Sequence, residues 1–149
     1  MDDSLRELYQ QTIFDHYRRP RNFGRPAGAN REAQGYNPLC GDKVTVYLRV
    51  ADGVVQDAGF EGEGCAISTA SASLMTESLK GRPQAEALRL LDAFQQMVTG
   101  TGPAGELGKL EALAGVREFP TRIKCATLAW HAMRAALEQE HGQEAVTTE

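Results

Sequence analysis

An alternating run of apolar and polar residues, followed by a tight turn and a second run, most constrains how this chain folds. In residues 43–51, "KVTVYLRVA", a valine or leucine occupies every second position, which is the period of a strand with one buried face. Asp52 and Gly53 then form a dipeptide typical of a hairpin turn, and "VVQDAGFE" at 54–61 predicts the returning strand. The sequence therefore predicts an antiparallel hairpin.

Each outer end of this hairpin carries a cysteine. Cys40 lies in "NPLCGD" at the entrance, and Cys65 ends "GEGC" at the exit. Because antiparallel strands return to the same end, we expect these two thiols to lie close together. Residues two apart in an extended segment point the same way, so Asp42 is expected to face the same point as Cys40. Gly41 between them would keep a side chain from crowding the turn.

Helical periodicity appears on both sides of the hairpin. A first amphipathic helix is predicted up to Pro20, a second from Cys65 to a stop at Gly81, and a third over 88–98, followed by a short apolar piece at 107–113. Cys65 is predicted at the N-terminal boundary of the second helix. Exposed amides and the helix dipole favour a thiolate at such a position.

The last helix has the most regular apolar spacing. Its apolar positions step by three and four: Ile123, Ala126, Trp130, Met133 and Leu137. Pro120 is predicted to stop the preceding segment, with Thr121 as the candidate N-cap of the helix. Cys125 then falls in the first two turns, just off the edge of the apolar stripe, and Arg122 lies one turn earlier on nearly the same side.

The remaining segments contain little regular pattern. Residues 20–38 are rich in glycine and proline and predict a loop, with a short extended piece near Tyr36. The chain length suits one domain over 1–142. Residues 143–149 are predicted to be a frayed polar tail.

Composition and charge exclude several classes of protein. The chain of 149 residues has 42% hydrophobic and 24% charged residues, as soluble globular proteins do. A formal charge of −4 without a long basic run argues against nucleic-acid binding. The N-terminus does not resemble a signal peptide, and no apolar run is long enough to span a membrane, so a cytoplasmic location is expected. Three cysteines, an odd number, argue against a disulfide framework and suit a reducing compartment.

Three thiols and a carboxylate make a candidate metal site. Cys40, Asp42, Cys65 and Cys125 supply four ligands, enough for a tetrahedral zinc ion or a small iron-sulfur cluster. A carboxylate is the weaker ligand for a soft metal, which suits a site that must open. The alternatives are three unrelated buried cysteines or a zinc ion that only stabilises the fold. Arg122 and Lys124 either offset the negative charge of the site or are ordinary surface cations.

The three histidines raise the alternative of a cysteine hydrolase. No local pattern places His16, His131 or His141 as a base for a cysteine nucleophile. We expect all three at surface or capping positions.

Several stretches resemble one known family. "YNPLCGD", "GEGCAIS", "STASASLMTE" and "RIKCATLAW", together with the opening "LYQQTIFDHYRRPRNFG", are similar to the U-type iron-sulfur cluster assembly proteins, the family of IscU, SufU and the NifU N-terminal domain. The resemblance covers essentially the whole chain. It implies an α+β fold, a small antiparallel sheet packed by several helices. It also implies that Cys40, Asp42, Cys65 and Cys125 ligate a metal ion or a cluster.

Two departures make the chain most similar to the SufU branch. Lys124 stands where IscU proteins carry a histidine, and "EFPTRIK" replaces their Leu-Pro-Pro-Val-Lys segment. The longer spacing between the second and third cysteines, and Arg122 three residues before Cys125, also look like SufU. Members of this branch hold zinc and accept sulfur from a cysteine desulfurase. The resemblance thus implies Cys40 as sulfur acceptor and Arg122 as the residue that positions or frees it.

The role implied by the resemblance is that of an accessory protein rather than a stand-alone enzyme. It would pass sulfur from the desulfurase to a downstream scaffold or to apo-proteins. A second function within the family is a scaffold on which a labile [2Fe-2S] cluster is built. Outside the family, a zinc-stabilised interaction module without chemistry of its own is the remaining alternative.

Overall fold

The computed structural model describes residues 3–100, 107–138 and 146–147. The helices are α1 Asp3–Arg18, α2 Ala66–Leu79, α3 Gln84–Thr99 and α4 Pro120–Glu138, with a 3-10 helix at Gly108–Glu118. The strands are β1 Arg31–Asn37, β2 Asp42–Ala51, β3 Val54–Glu63 and β4 Val146–Thr147. The expected α+β architecture is confirmed. Among these residues no helix is long and apolar enough to cross a membrane.

The sheet has the strand order β3-β2-β1-β4. β2 pairs antiparallel with β1 and with β3, and β4 pairs parallel with β1 at Gly35 and Tyr36. The predicted hairpin is therefore confirmed. Asp52 and Gly53 at its turn have φ of 54° and 75°, the two positive angles that a two-residue hairpin turn requires.

β1 differs from the expectation of a loop with only a short extended piece. Its sequence, "REAQGYN", contains no β-branched residue, so no strand signal marks it. Tertiary contacts make it a strand: it pairs along its length with β2 and packs against α4. A Cβ on Gly35 would lie 3.0 Å from Leu128 Cδ1, so the missing side chain lets α4 approach closely.

The core lies between one face of the sheet and the helices. Val46, Leu48 and Val55 point from the sheet into it, and Trp130 of α4 stacks on Phe94 of α3 with ring centroids 4.5 Å apart. α4 contacts β1, β2, α2, α3 and the 3-10 helix. It is therefore buried around most of its circumference.

This burial corrects the position predicted for Cys125. The side chain is 0% exposed, and every residue from Cys125 to Trp130 is buried. The buried face of α4 is thus wider than the predicted apolar stripe, because residues outside that stripe, such as Thr127 and Ala129, are also covered. Cys125 lies inside the core and not at its edge.

The start of α4 also differs from the prediction. Pro120 is the first residue of the helix, and the carbonyl of Phe119 accepts the N–H groups of Arg122 at 2.8 Å and Ile123 at 3.2 Å. Proline suits the first helical position because its fixed φ is helical and its missing N–H would have no partner there. The prediction of Thr121 as the N-cap was wrong.

The predicted tail, residues 143–149, lies outside the described residues except for Val146–Thr147 of β4. His141 also lies outside them.

Candidate metal centre

Three segments distant in the sequence meet at one end of the hairpin. Cys40 Sγ, a carboxylate oxygen of Asp42 and Cys125 Sγ all lie within 4.8 Å of one another. Cys40 Sγ and Cys125 Sγ are 3.4 Å apart. Two sulfur atoms on one tetrahedral zinc ion lie about 3.7 Å apart, given Zn–S bonds of about 2.3 Å. The spacing of these donors therefore fits a metal ion.

Cys65 contacts the carboxylate of Asp42 but is not one of these three donors. Its Sγ is 3.8 Å from Asp42 Oδ2, and its backbone N–H donates to Asp42 Oδ1 at 2.9 Å. It is the N-cap of α2, as predicted, and its sulfur accepts the N–H of Ser68 at 3.4 Å. The hairpin thus places Cys65 next to Asp42, while the close approach of Cys65 to Cys40 stays a prediction.

A tight turn, and not an extended segment, presents Cys40. The N–H groups of Cys40 and Gly41 both donate to the carbonyl of Asn37, at 3.3 Å and 2.8 Å. Gly41 has φ of +72°, and a Cβ placed on it would meet nothing within 4 Å. The reason predicted for this glycine was therefore wrong, since its backbone conformation and not a lack of space requires it.

Two further glycines shape the site, and sequence reasoning missed them. A Cβ on Gly62 would lie 2.1 Å from the carbonyl oxygen of Lys43. A Cβ on Gly64 would lie 3.0 Å from Ser68 Oγ and 3.2 Å from Asp42 Oδ1. The signal was present in "GEGC", because glycines in a strand often mark a close approach of another segment.

Asn37 is a third missed residue. It is 0% exposed, its Oδ1 accepts the N–H of Leu39 at 3.1 Å, and its Nδ2 lies 3.9 Å from Cys125 Sγ. The signal in the sequence was the pair Asn-Pro, since an asparagine side chain commonly accepts the backbone N–H two residues later in a turn.

The buried donors create a demand for positive charge. Asp42 is 1% exposed, yet among the described residues no lysine, arginine or histidine forms an ion pair with it. Burial raises the pKa of the Cys125 thiol well above its usual range, and hydrogen bonds to Cys40 and Asp42 act in the same direction. A buried carboxylate is costly unless a cation or several hydrogen bonds compensate it. A bound cation fits this donor set.

The three thiols differ in exposure. Cys40 is exposed, Cys65 is half-buried and Cys125 is buried. Leu39, next to Cys40, is 64% exposed, so the turn stands out from the surface. Cys40 is therefore the most accessible of the three thiols to another protein, and Cys125 cannot be reached without opening the core.

The two cations near the last cysteine have no ion pair among the residues that the structure describes. Lys124 is half-buried. Arg122 is exposed and lines a groove of about 1000 Å³ that also reaches Cys65 and Ala66. Arg122 thus lies on the side of the site where Cys65 is found.

The surface position expected for His16 was wrong. The side chain is 2% exposed, its Nδ1 is 2.7 Å from Ser73 Oγ, and its Nε2 is 3.6 Å from Glu77 Oε1. These contacts hold α1 against α2. His131 is half-buried in α4.

Comparisons with known proteins show the family to which this chain belongs. The profile of the NifU-like N-terminal domain matches residues 8–145. The zinc-dependent sulfurtransferase SufU of Bacillus subtilis is 43% identical over 93% of this chain and 95% of its own length. The iron-sulfur cluster assembly scaffold protein IscU of Streptococcus pyogenes is 42% identical over 96% of this chain and 91% of its own length.

A solved structure shows the same fold. The crystal structure of the SUF-system protein FiSufU from Fervidobacterium islandicum AW-1 matches with a TM-score of 0.82 and 32% identity, over 89% of this chain and 98% of that one. Profile, sequence and structure therefore agree along most of the chain. The chain belongs to the NifU-like N-terminal domain family.

Proposed function

We propose that this protein binds a zinc ion through Cys40, Asp42, Cys65 and Cys125 and accepts persulfide sulfur from a cysteine desulfurase for iron-sulfur cluster assembly. The name of the Bacillus subtilis relative, a zinc-dependent sulfurtransferase, supports this function. The recipients of the sulfur are a downstream scaffold or apo-proteins. The site of action is the cytoplasm, a compartment in which free thiols persist.

One observation carries the proposal: an exposed thiol lies against buried donors. Cys40 is exposed, whereas Asp42 and Cys125, within 4.8 Å of it, are buried. The buried pair can hold an ion while Cys40 leaves it. The exposed turn can then enter the active site of a partner.

Zinc suits these four donors. It is bound by cysteine thiolates and carboxylates in tetrahedral geometry, and when bound it keeps the coordinating thiols deprotonated. Three thiolates and one carboxylate carry −4, and the +2 of the ion leaves −2. The exposed Arg122 and the half-buried Lys124 lie within three residues of Cys125 in the sequence, and their positive charges would reduce this excess of negative charge.

The transfer step requires no oxidant or reductant. The thiolate of Cys40 attacks the outer sulfur of the desulfurase persulfide, and a new S–S bond forms on Cys40 Sγ. The S–S bond of the donor breaks, and its electron pair leaves on the desulfurase cysteine as a thiolate. Cys40 carries the sulfur as a persulfide. Cys65 and Cys125 take no part in this transfer and remain in the site.

Arg122 is the residue that we propose to position or free Cys40. Its guanidinium has no hydrogen bond or ion pair with other described residues, so it is available to an incoming thiolate or persulfide. It lies in the first turn of α4, three residues before Cys125.

The names of other relatives favour a second candidate function. IscU of Streptococcus pyogenes, 42% identical, is called a cluster assembly scaffold. In that role, iron and sulfide would assemble as a [2Fe-2S] cargo on the same cysteines. The carboxylate of Asp42 would keep the cargo exchangeable.

Metal content and desulfurase turnover test the proposal. Native mass spectrometry of protein purified without added metal is expected to show one zinc ion per chain. The zinc form is expected to increase the turnover of a cysteine desulfurase from the same organism, and Cys40→Ala is expected to abolish the increase. Iron with inorganic sulfide in the purified protein, or full stimulation by Cys40→Ala, would exclude sulfur acceptance at Cys40.

A further inference from the structure

Asn37 joins the turn that carries Cys40 to the buried Cys125. It is the last residue of β1, where it pairs with Asp42 of β2. Its carbonyl accepts the N–H groups of Cys40 and Gly41, and its side chain faces Cys125 at 3.9 Å. One buried residue therefore contacts the backbone on both sides of the proposed acceptor and the sulfur opposite it.

The orientation of the amide follows from its partners. Oδ1 accepts the backbone N–H of Leu39 at 3.1 Å, and a backbone N–H can only donate. The other end of the amide, Nδ2, must therefore face Cys125 Sγ. Asn37 thus offers an N–H donor to the sulfur of Cys125.

The three cysteine sulfurs differ in the N–H donors that they receive. Cys125 Sγ faces Nδ2 of Asn37, and Cys65 Sγ accepts the backbone N–H of Ser68 at 3.4 Å. Within the described part of the chain, no N–H group donates to Cys40 Sγ, whose partner is Cys125 Sγ. An N–H donor stabilises negative charge on sulfur and draws electron density away from it. The sulfur without such a donor is the better nucleophile.

We infer that Asn37 is a positioning residue that keeps Cys125 as a permanent zinc ligand and leaves Cys40 as the ligand that exchanges. Its side chain donates to Cys125, and its carbonyl holds the turn that places Cys40 opposite. This inference deepens the proposed function and rests on it. It explains why the site releases Cys40 and not Cys125, beyond the difference in exposure between them.

Two substitutions distinguish the role of the Asn37 side chain as a donor to Cys125 from its role as an acceptor for Leu39. Asn37→Asp has nearly the same shape and keeps an oxygen for the N–H of Leu39, but presents no N–H to Cys125. Asn37→Ala removes both contacts without adding charge. Asn30→Asp is the matched control, because the side chain of Asn30 pairs with the backbone of Val50 at 2.8 Å and 2.9 Å and has no contact with the site.

The readouts need no desulfurase. Zinc affinity is measured by competition with a chromophoric chelator, and the number of thiolate ligands by the sulfur-to-cobalt absorption of the Co²⁺ form. The relative rates of alkylation of Cys40 and Cys125 in the zinc form are measured by mass spectrometry. Because all three use the isolated protein, they stay informative if the desulfurase assay fails.

We expect both Asn37 variants to bind zinc about 10- to 100-fold more weakly, as is usual when a group behind a metal ligand is lost. The preference of alkylation for Cys40 over Cys125 is expected to decrease, although the difference in exposure between the two thiols remains. Asn30→Asp should change thermal stability alone. If Asn37→Asp keeps the affinity and the preference while Asn37→Ala loses them, the turn and not the N–H donor matters, and the inference is overturned. Unchanged values in both variants, or a wild-type protein that binds no zinc, also overturn it.

Discussion

The carboxylate of Asp42 accepts the backbone N–H of Cys65 at 2.9 Å, across 23 positions of the chain. This hydrogen bond connects the first residue of β2 to the N-cap residue of α2. The register of the hairpin, in which Lys43 lies opposite Glu63, brings the two together. Asp42 therefore has a structural role in addition to its place among the proposed zinc ligands.

The two roles of Asp42 predict opposite effects of Asp42→Asn in the presence and absence of metal. The amide can still accept the N–H of Cys65 but has no charge to offer a cation. We expect zinc affinity to fall about 10-fold, while the metal-free protein becomes about 1–2 kcal/mol more stable, because a buried charge that has no ion pair among the described residues is removed. Chelator competition and urea unfolding of the metal-free protein measure the two effects. A metal-free variant less stable than wild type would contradict this account.

Zinc affinity is expected to rise with pH. Burial raises the pKa of the Cys125 thiol, so in the metal-free fold this thiol carries its proton at neutral pH. Binding must expel that proton, and a lower proton concentration therefore favours the metal. Calorimetry in two buffers of different ionisation enthalpy, between about pH 6 and 8, counts the protons released. Cys125→Ser should release fewer protons, and an affinity independent of pH would show that Cys125 is not a ligand.

The burial of His16 predicts that the protein loses stability in mild acid. Burial lowers the pKa of its imidazole, an effect to which Arg21 adds and which Glu77 and Asp15 oppose. A folded-state pKa below the unfolded value of 6.5 means that stability is complete above that value. It is lost as the pH falls through the folded pKa, since the unfolded chain binds the proton more tightly.

Urea unfolding at about pH 7.5 and 5.5 measures this loss. His16→Gln can keep a hydrogen bond to Ser73 but does not titrate, so its stability should change less between the two values. His131→Gln is the comparison, because His131 is half-buried and burial also lowers the pKa of its imidazole. An identical loss in wild type and His16→Gln would assign the acid sensitivity to another group.

Gly64→Ala is expected to weaken the site more than the fold. The added Cβ would lie 3.2 Å from Asp42 Oδ1 and 3.0 Å from Ser68 Oγ, so the carboxylate or the start of α2 must move. Metal sites tolerate such shifts poorly, and we expect a loss of about 10-fold in zinc affinity. Gly53→Ala is the control: φ there is +75° with nothing within 4 Å, so it should cost about 1 kcal/mol of stability and leave zinc affinity unchanged.

Only part of this fold could be predicted from the sequence. The hairpin, which brings Cys65 next to Asp42, follows from local signals, the alternation in 43–51 and the dipeptide Asp52-Gly53. The strand β1 and the burial of Cys125 depend on contacts with distant segments. No local pattern contains those contacts, since the residues of β1 have little strand preference of their own.

The same distinction holds within the site. The four proposed ligands could be named because thiols and carboxylates are rare and chemically distinctive. Asn37 and Gly64 act through distances of 3 to 4 Å to residues far along the chain, and only the fold brings these atoms together. Arg122 was named from its position before Cys125, and only the fold shows that it lines a groove that also reaches Cys65.

Arg122→Ala tests whether that cation acts in sulfur transfer or only lies near the site. Among the described residues its guanidinium has no hydrogen bond or ion pair with Cys40, Asp42 or Cys125, so zinc affinity should stay within about 2-fold of wild type. Desulfurase stimulation should fall about 10-fold or more, since a cation beside a reacting thiolate contributes about 1.4 kcal/mol or more to such a step.

Arg134→Ala is the matched control, because that arginine pairs with Asp92 on the surface at 3.3 Å. Arg122→Lys keeps the charge but not the planar donors, and partial activity in it would indicate an electrostatic role. Equal stimulation by wild type and Arg122→Ala would leave the groove beside Cys65 without a function in sulfur acceptance.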